Sequence, residues 1–598
     1  MEEFKRYLTT KTDHIKQSTQ AYKFCFCFSR IFRLKMAEPP EDVVNVFRDY
    51  SDKGVMSVEQ LYDFLKHYQG EEKITIKDAQ DIFTKHHYVF QSGLNLNAFF
   101  SYLSGDHNPP ISTEVHHDMT APLAHYFVYT GHNSYLTGNQ FTSNSSIKPI
   151  IRALKNGVRV IELDLWPSKK GDVEVCHGGT WTSSVKLSKC LQAIKDNAFK
   201  ASEFPVIITF EDHLKNALLR QKVAEMVSAT FGGMLYHRTD FHEFPSPETL
   251  KGKILISSKP PELIDSHKDD EHGDLRKQEF NDKAVPVVLE GGDSKHESSA
   301  QTKINKDVKD EEEEISDDQD NCDDTSMNEK PISYKNMITI PGIKRGEFKE
   351  SLKVHPYKLS RLSWSEQTLA NAIISHGTDI VRYTQKNILR IFPRLARIDS
   401  SNYDPFVGWI HGAQMVAFNM QGYGKPLWLM QGMFRANGGC GYVKKPEFLL
   451  KLSPEGEVFD PKADLPIKLT LKVKVYMGDG WRADFKQTHF DLFSPPDFYV
   501  KVGIAGAAGD ETMNRTKAIE DSWTPVWDEE FSFPLKVPEL ALLTVEVYEY
   551  DTSKKDDFAG QTCLPVSELK PGFRALSLYN SEGQKYASVK LLMRFMFV

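Results

Sequence analysis

Short apolar runs, each closing on a polar side chain, recur through the first half of the chain. Phe127-Val128-Tyr129 leads into Gly131-His132-Asn133, Val158 to Trp166 carries Glu162 and Asp164, and Val173-Glu174-Val175 runs into His177. Val206 to Phe210 closes on Glu211-Asp212-His213, and Ile254-Leu255-Ile256 closes on Ser257-Ser258-Lys259. Their length and composition predict strands. Ser145 to Asn156, Lys186 to Ala198 and Asn216 to Ala229 have helical length, so the pattern reads as βα units around a parallel sheet. Polar residues at the C-terminal ends of parallel strands predict a TIM-type (β/α)8 barrel with a site at that mouth.

Residue types narrow the chemistry of the mouth. Glu162 and Asp164 are two apart on a strand, so both point to one face and can share one ion. Two carboxylates buried in an apolar strand without a partner are costly, which favours a site over a chance pairing. Asn133 and Glu211 would add two more oxygens. An all-oxygen set suits a hard cation, Ca2+ or Mg2+, and argues against zinc. His132 and His177 remain as groups that titrate near neutrality, fit for acid–base work. A metal, two histidines and nearby cations make a phosphodiester a natural substrate.

Through His132-Asn133-Ser134-Tyr135, Glu162-Leu163-Asp164, His177-Gly178-Gly179-Thr180 and Pro205 to Glu211, this stretch resembles the X half of the catalytic barrel of eukaryotic phosphoinositide-specific phospholipase C. The resemblance implies that His132 and His177 are the catalytic pair, that Asn133, Glu162, Asp164 and Glu211 hold Ca2+, and that Lys259 contacts a head-group phosphate. Many family members have a second lysine where Ser257 stands, a departure that weakens the phosphate grip.

The barrel pattern resumes near Tyr334. Ser363 lies in Leu362-Ser363-Trp364-Ser365-Glu366, Asn387 to Phe392 and Met415 to Asn419 read as strands, and Asn437 to Tyr442 as a turn opening a last strand. These segments resemble the Y half of the same family, which implies phosphate binding by Ser363 and Arg390, for which a planar guanidinium is apt. Relatives usually stack a Tyr on the inositol ring, where this chain has Phe392. Pro393 to Arg397 also lacks a glycine common in relatives, which bears on loop geometry and turnover.

The flanking segments read differently. Up to about Lys35, aromatic and basic residues mix around Cys25 and Cys27, as suits either an acylated tail at an anionic lipid surface or a tail packed on the next domain. From Pro40 to Gly105 helical spacing dominates, and Asp49 to Gln60 has the frame of an EF-hand loop with Gly54 at its sixth position. Lys53 stands where a ligand belongs and Gln60 replaces the closing Glu, so helices without calcium are expected, as in the EF-hand-like region of plant-type relatives. Asn305 to Lys330 holds twelve acidic residues and three lysines, a net of −9 against −8 for the whole chain. Such a linker is expected to be disordered.

From Ile467 on, alternation predicts a β-sandwich over Leu469 to Tyr476, Phe498 to Gly503, Trp527 to Phe533, Leu543 to Tyr548 and Ala587 to Phe597. Asp491 and Asp497 in one loop, and Glu549, Asp551, Asp556 and Asp557 in another, crowd one end and suggest Ca2+ between them. Pro496 to Val502 with Asp551 to Gly560 resembles a C2 domain, which implies calcium-dependent binding of anionic lipid; Glu549 stands where many have Asp. Seven cysteines without a paired framework point to a reducing compartment, and no apolar run has membrane-span length.

The expected architecture is multidomain α/β plus all-β. It runs from an N-terminal tail (1–36) and EF-hand-like helices (37–106) through the X half (117–262), acidic linker (263–331) and Y half (332–450) to a C2 domain (467–598). The resemblance implies calcium-dependent cleavage of phosphatidylinositol 4,5-bisphosphate to diacylglycerol and inositol trisphosphate. The implied partner is an anionic phosphoinositide membrane, with the protein peripheral at the cytoplasmic face of the plasma membrane and also cytosolic. Nothing points to nucleic acid, and no upstream activator is indicated. Two rivals stand beside it: a non-catalytic lipid-binding scaffold of the same fold, and a barrel phosphodiesterase acting on soluble glycerophosphodiesters.

Overall fold

The computed structural model describes residues 19–25, 28–33, 38–86, 93–237, 242–261, 333–343, 347–353, 359–552 and 555–598. Its centre is a ring of eight parallel strands in chain order: β1 (Thr130–Gly131), β2 (Val160–Pro167), β3 (Val206–Asp212), β4 (Ile254–Ser258), β5 (Ile338–Pro341), β6 (Arg361–Ser365), β7 (Ile388–Phe392) and β8 (Met415–Phe418). The β8–β1 pairing joins the two halves at one seam, and a single parallel bridge between Gly342 and Arg361 closes the ring at the other. Four strands come from each side of the acidic segment, which lies outside the described residues.

Strand alternation sorts the side chains. Ile161, Leu163, Leu165, Ile208, Phe210, Leu362, Trp364, Leu389 and Ile391 point outward into the shell shared with the helices. Val160, Ile207, Leu255, Ile340, Ile388 and Met415 fill the bottom of the barrel. By the same alternation Glu162, Asp164, Glu211, Ser363 and Arg390 face the axis. Helices Ile147–Lys155, Leu187–Asn197, Ala217–Phe231, Glu366–Thr384 and Lys425–Met433 cover the outside. Side-chain caps from Ser146, Asn216 and Ser365 start three of them.

Three expected barrel strands lie elsewhere. Val173–Val175 pairs antiparallel with β2. The connection from Pro167 to Val173 is too short for a right-handed crossover, which needs a dozen residues, so it forms a hairpin instead. Tyr442–Lys444 pairs antiparallel with Tyr126–Val128 beneath the barrel, because the ring is complete without it. The Phe127-Val128 run therefore belongs to that ribbon, and the barrel strand is the short Thr130–Gly131 after it.

The C-terminal part is an eight-stranded antiparallel sheet folded on an apolar core that includes Val473, Trp481, Phe498, Val500, Val545 and Phe595. Besides the five expected strands it contains Thr512–Arg515, Asp557–Pro565 and Gly572–Tyr579. Helices Glu41–Tyr50, Val58–Asp63, Ile76–His86 and Leu96–Leu103, with the helical turn Phe64–Tyr68, bury Val43, Phe47, Leu61, Phe64 and Phe99 against Tyr476, Phe573 and Leu592 of this sheet. In the EF-hand-like loop Gln60 caps Ser57 and donates to Asp52 at 3.0 Å, so an amide donor sits where a calcium loop needs a bidentate acceptor. The N-terminal hairpin Thr19–Cys25/Phe28–Arg33 buries Tyr22, whose hydroxyl accepts from the Trp523 indole at 3.1 Å, so at that residue the tail packs on the sandwich. Among the described residues no helix is long and apolar enough to cross a membrane.

Candidate active site

At the end of β1 the chain turns through Asn133 in the left-handed region (φ 43°), which an Asn side chain tolerates. This turn sets His132 and Asn133 over the barrel axis. The Asn133 amide N–H donates to Glu162 Oε2 at 3.1 Å. Its side-chain Nδ2 donates to Gln140 Oε1 at 2.9 Å, leaving Oδ1 to accept from Tyr135 at 3.2 Å.

Both histidines are fixed by acceptors on one nitrogen. His132 Nδ1 donates to Asn419 Oδ1 at 2.8 Å, and that oxygen also accepts from Gln140 Nε2 at 3.0 Å. His177, delivered by the hairpin off β2, donates from Nδ1 to the Gln140 carbonyl at 2.7 Å. In each ring Nε2 is therefore the nitrogen available for chemistry. Gln140 ties His132, His177 and Asn133 together, and neither it nor Asn419 was singled out by the sequence pattern. Burial lowers the pKa of His132, with Arg390 adding to the effect and Glu162 opposing it.

Glu162, Asp164 and Glu211 face one another across β2 and β3. Glu162 pairs with Arg390 and lies 3.9 Å from His132 Nε2. Arg390 reaches to 4.0 Å from Glu211. Burial alone would raise Glu162, but Arg390 and His132 hold it below the usual carboxylate range. Asp164 is pushed well up by burial and then by the charges of Glu162 and Glu211. Its Oδ1 is buried without a hydrogen-bond partner. An orphaned carboxylate oxygen among mutually repelling carboxylates fits a bound cation, and the all-oxygen donors fit a hard one. Asp212 and His213 of the same motif turn away, to Arg220 at 3.0 Å and onto the Trp166 ring at 4.2 Å.

The three carboxylates do not converge to within 4.8 Å; among the described residues that distance is met by His116, His117 and Glu568. There His117 Nδ1 accepts the Lys444 amide at 3.2 Å, so its Nε2 carries the proton and donates to Glu568 at 2.7 Å. That cluster is a hydrogen-bonded tie between the barrel's underside and the sandwich.

On the far side of the mouth Lys259 is exposed, while Ser257 is buried and donates to the Ile340 carbonyl at 3.0 Å. Ser363 Oγ is buried without a partner, and Phe392 lies beside Arg390, 5.3 Å from guanidinium to ring centre. The loop lacking the family glycine is clamped: Glu366 accepts from Arg397 at 2.6 and 2.8 Å and from the Arg394 amide at 2.9 Å. Around the rim stand exposed apolar side chains that sequence reasoning missed. Trp181, 81% exposed, lies against Phe141, and Leu395, Ile398 and Tyr423 complete the set. No periodicity marks loop residues, so only their later exposure reveals them.

At the sandwich end, Glu549 pairs in register with Phe498 and Asp557, which brings it next to Asp497. Glu549 is 2% exposed with Oε2 unpartnered, and burial with the charges of Asp491, Asp557, Asp497 and Asp551 pushes it up to about 8. Asp556 is instead taken by the Tyr499 hydroxyl at 2.6 Å.

Residues 119–260 and 334–448 match models of the phosphatidylinositol-specific phospholipase C X and Y domains. Residues 34–107 match the EF-hand-like region of phosphoinositide-specific phospholipase C, and 469–581 match a C2 domain. Phosphoinositide phospholipase C 2 of Arabidopsis thaliana is 52% identical, covering 97% of this chain and 100% of that protein. The 1-phosphatidylinositol 4,5-bisphosphate phosphodiesterase delta-3-A of Danio rerio is 31% identical over 94% of this chain and 69% of its own. The crystal structure of S. officinalis PLC21 superposes with a TM-score of 0.70 at 24% identity, over 94% of this chain and 68% of that one, a likeness of fold.

Proposed function

The chain belongs to the phosphoinositide-specific phospholipase C family, and from that premise we propose that it cleaves phosphatidylinositol 4,5-bisphosphate and related phosphoinositides to diacylglycerol and a soluble inositol phosphate. The observation that carries this reading is the mouth itself. Two histidines with their Nδ1 atoms tied down stand beside two buried carboxylates, the half-buried Glu211 and a guanidinium.

Asn133, Glu162, Asp164 and Glu211 would hold Ca2+, and the orphaned Asp164 oxygen supports that set. When bound, the ion supplies positive charge that lowers the pKa of the inositol 2-hydroxyl and screens the phosphate. His132, protonated at Nε2 beside the arriving anion, donates to a phosphoryl oxygen as charge develops there. As the 2-hydroxyl attacks phosphorus it gives its proton to one of the carboxylates Glu162, Asp164 and Glu211, and His177 Nε2 delivers a proton to the departing glycerol oxygen, leaving diacylglycerol and a cyclic phosphodiester. His177, now without that proton, takes one from the water that opens the cyclic ester, and the carboxylate returns its proton to the leaving 2-oxygen. Lys259, Ser363, Arg390 and Phe392 bind the head group, and the Glu366 clamp on the 393–397 loop speaks against the scaffold reading.

The exposed Trp181, Phe141, Leu395, Ile398 and Tyr423 suit insertion among lipid chains, and Asp491, Asp497, Glu549, Asp551 and Asp557 suit calcium-dependent docking of the sandwich at the same anionic surface. This makes the protein peripheral to the membrane. Phosphatidylinositol vesicles followed by phosphorus NMR test the chemistry: a cyclic phosphodiester should form before the open monoester. A glycerol-phosphate product, or a monoester with no cyclic precursor, would refute it.

A further inference from the structure

Arg361 is 1% exposed, and its Nε and one terminal nitrogen, Nη1, have no hydrogen-bond partner. A guanidinium in that state is a rare feature in a folded core, since each unmet donor is destabilising. The strand register explains where its charge points. Arg361 is level with Gly342 at the ring closure, and Pro341 is level with Ser258, so Gly342 stands beside Lys259. A Cβ at Gly342 would meet Lys259 Cγ at 3.2 Å and Arg361 Nη2 at 3.4 Å. The bare glycine is therefore flanked by both cationic side chains. Arg361 alternates with the outward-facing Leu362 and Trp364, so it shares the inward face of β6 with Ser363, whose Oγ is also unpartnered. Glu211 and Glu162 both feel its charge.

In a ring of eight strands β5 lies diametrically across from β1, which carries His132. A substrate whose diester sits at the histidines turns its far ring substituents toward β4, β5 and β6. On β4 the inward Ser257 is spent on a backbone carbonyl, leaving Lys259 as the cation of that strand. We propose that Arg361 is a further specificity-determining residue, which with Lys259 across Gly342 grips a phosphate monoester on the inositol ring. A planar guanidinium with unmet donors on Nε and Nη1, set with its Nη2 against the bare glycine and an ammonium on the other side, suits such a dianion. The inference rests on the phosphoinositide reading above and adds a residue that the chain's sequence motifs did not pick out.

The test compares the full-length wild type with Arg361→Met, which keeps length and removes charge, and Arg361→Lys, which keeps charge and removes the fork. Calorimetry with inositol 1,4,5-trisphosphate should show at least tenfold weaker binding for Arg361→Met. The kcat/KM ratio for phosphatidylinositol 4,5-bisphosphate over phosphatidylinositol in vesicles should fall at least tenfold, mainly through KM. Arg361→Lys should lower both severalfold, and it carries the test if the methionine variant does not fold. An unchanged ratio, or equal losses on the two lipids, would overturn the inference as a merely structural effect. If the wild type cleaved neither lipid, the functional reading would fall while Arg361-dependent trisphosphate binding would still uphold this one; a wild type that did not bind the trisphosphate would overturn it.

Discussion

Replacing Asn419 by alanine removes the acceptor that orients His132. The Asn419 side chain accepts from His132 Nδ1 at 2.8 Å and from Gln140 Nε2 at 3.0 Å, and donates to the Ser401 carbonyl at 3.3 Å. Gln140 Nε2 keeps its bond to Ser400 at 2.8 Å, so the buried imidazole N–H is the group left most exposed to loss. An unmet buried donor costs about 1–3 kcal/mol, and His132 can avoid it only by turning its ring or switching tautomer. Either movement takes Nε2 from the position proposed to serve the phosphoryl oxygen. If about 2 kcal/mol of that orientation is lost in the transition state, kcat falls roughly 30-fold. KM should change little, because on the proposed reading the substrate's ring is held from β4, β6 and β7. Initial rates of soluble inositol phosphate release from vesicles at saturating calcium read both constants, with thermal unfolding confirming a folded variant. A folded Asn419→Ala protein with kcat within twofold of the wild type would refute this reasoning.

Other predictions concern the frame and the rim. Glu71 meets Arg574 at 2.6 Å and Lys570 at 2.9 Å across the contact between EF-hand-like helices and sandwich, and Glu71→Gln leaves the buried Arg574 uncompensated. The expected loss is about 3 kcal/mol, read as a lower urea midpoint. Burial would raise the Glu71 pKa, but Arg574 and Lys570 outweigh it and hold it below the unfolded value. Its stabilising contribution is therefore complete above the unfolded carboxylate value of 4.5 and is lost as pH falls through the folded one. Wild type and variant should differ at neutral pH and converge in acid; a constant gap would contradict the assignment. Trp181→Ala should slow cleavage of vesicle substrate severalfold while hydrolysis of soluble cyclic inositol phosphate stays within about twofold, since aromatic anchors act through the lipid surface. Equal effects on both substrates would remove Trp181 from the membrane face.

Much of the fold was legible because alternation and chemistry coincide on the same strands. Glu162 and Asp164 on β2, alternating with Ile161, Leu163 and Leu165, announce both a barrel strand and its inward face. The errors came where local pattern is silent about pairing. Val173–Val175 has strand composition, and only the short connection before it excludes a parallel partner. Tyr442–Lys444 is a strand without a place in a ring already closed. Of the candidate site, Glu162 and Asp164 were legible because burying two carboxylates demands a reason. Gln140 and Asn419 were not, since a lone amide carries no signal until tertiary structure sets it between His132, His177 and Asn133. Arg361 carries no signal in the sequence pattern, and only the register with Gly342 brings it to the mouth.

The central claim, that this mouth hydrolyses phosphoinositides with calcium and two histidines, is tested most directly by one titration. Release of soluble inositol trisphosphate from vesicles containing phosphatidylinositol 4,5-bisphosphate would be followed against free calcium for the wild type and His132→Ala, with vesicle sedimentation measured in parallel. The account predicts calcium-dependent release by the wild type and near-complete loss in His132→Ala, with sedimentation retained by both. Undiminished release by His132→Ala, or no release at any calcium level from wild-type protein that sediments with the vesicles, would contradict it.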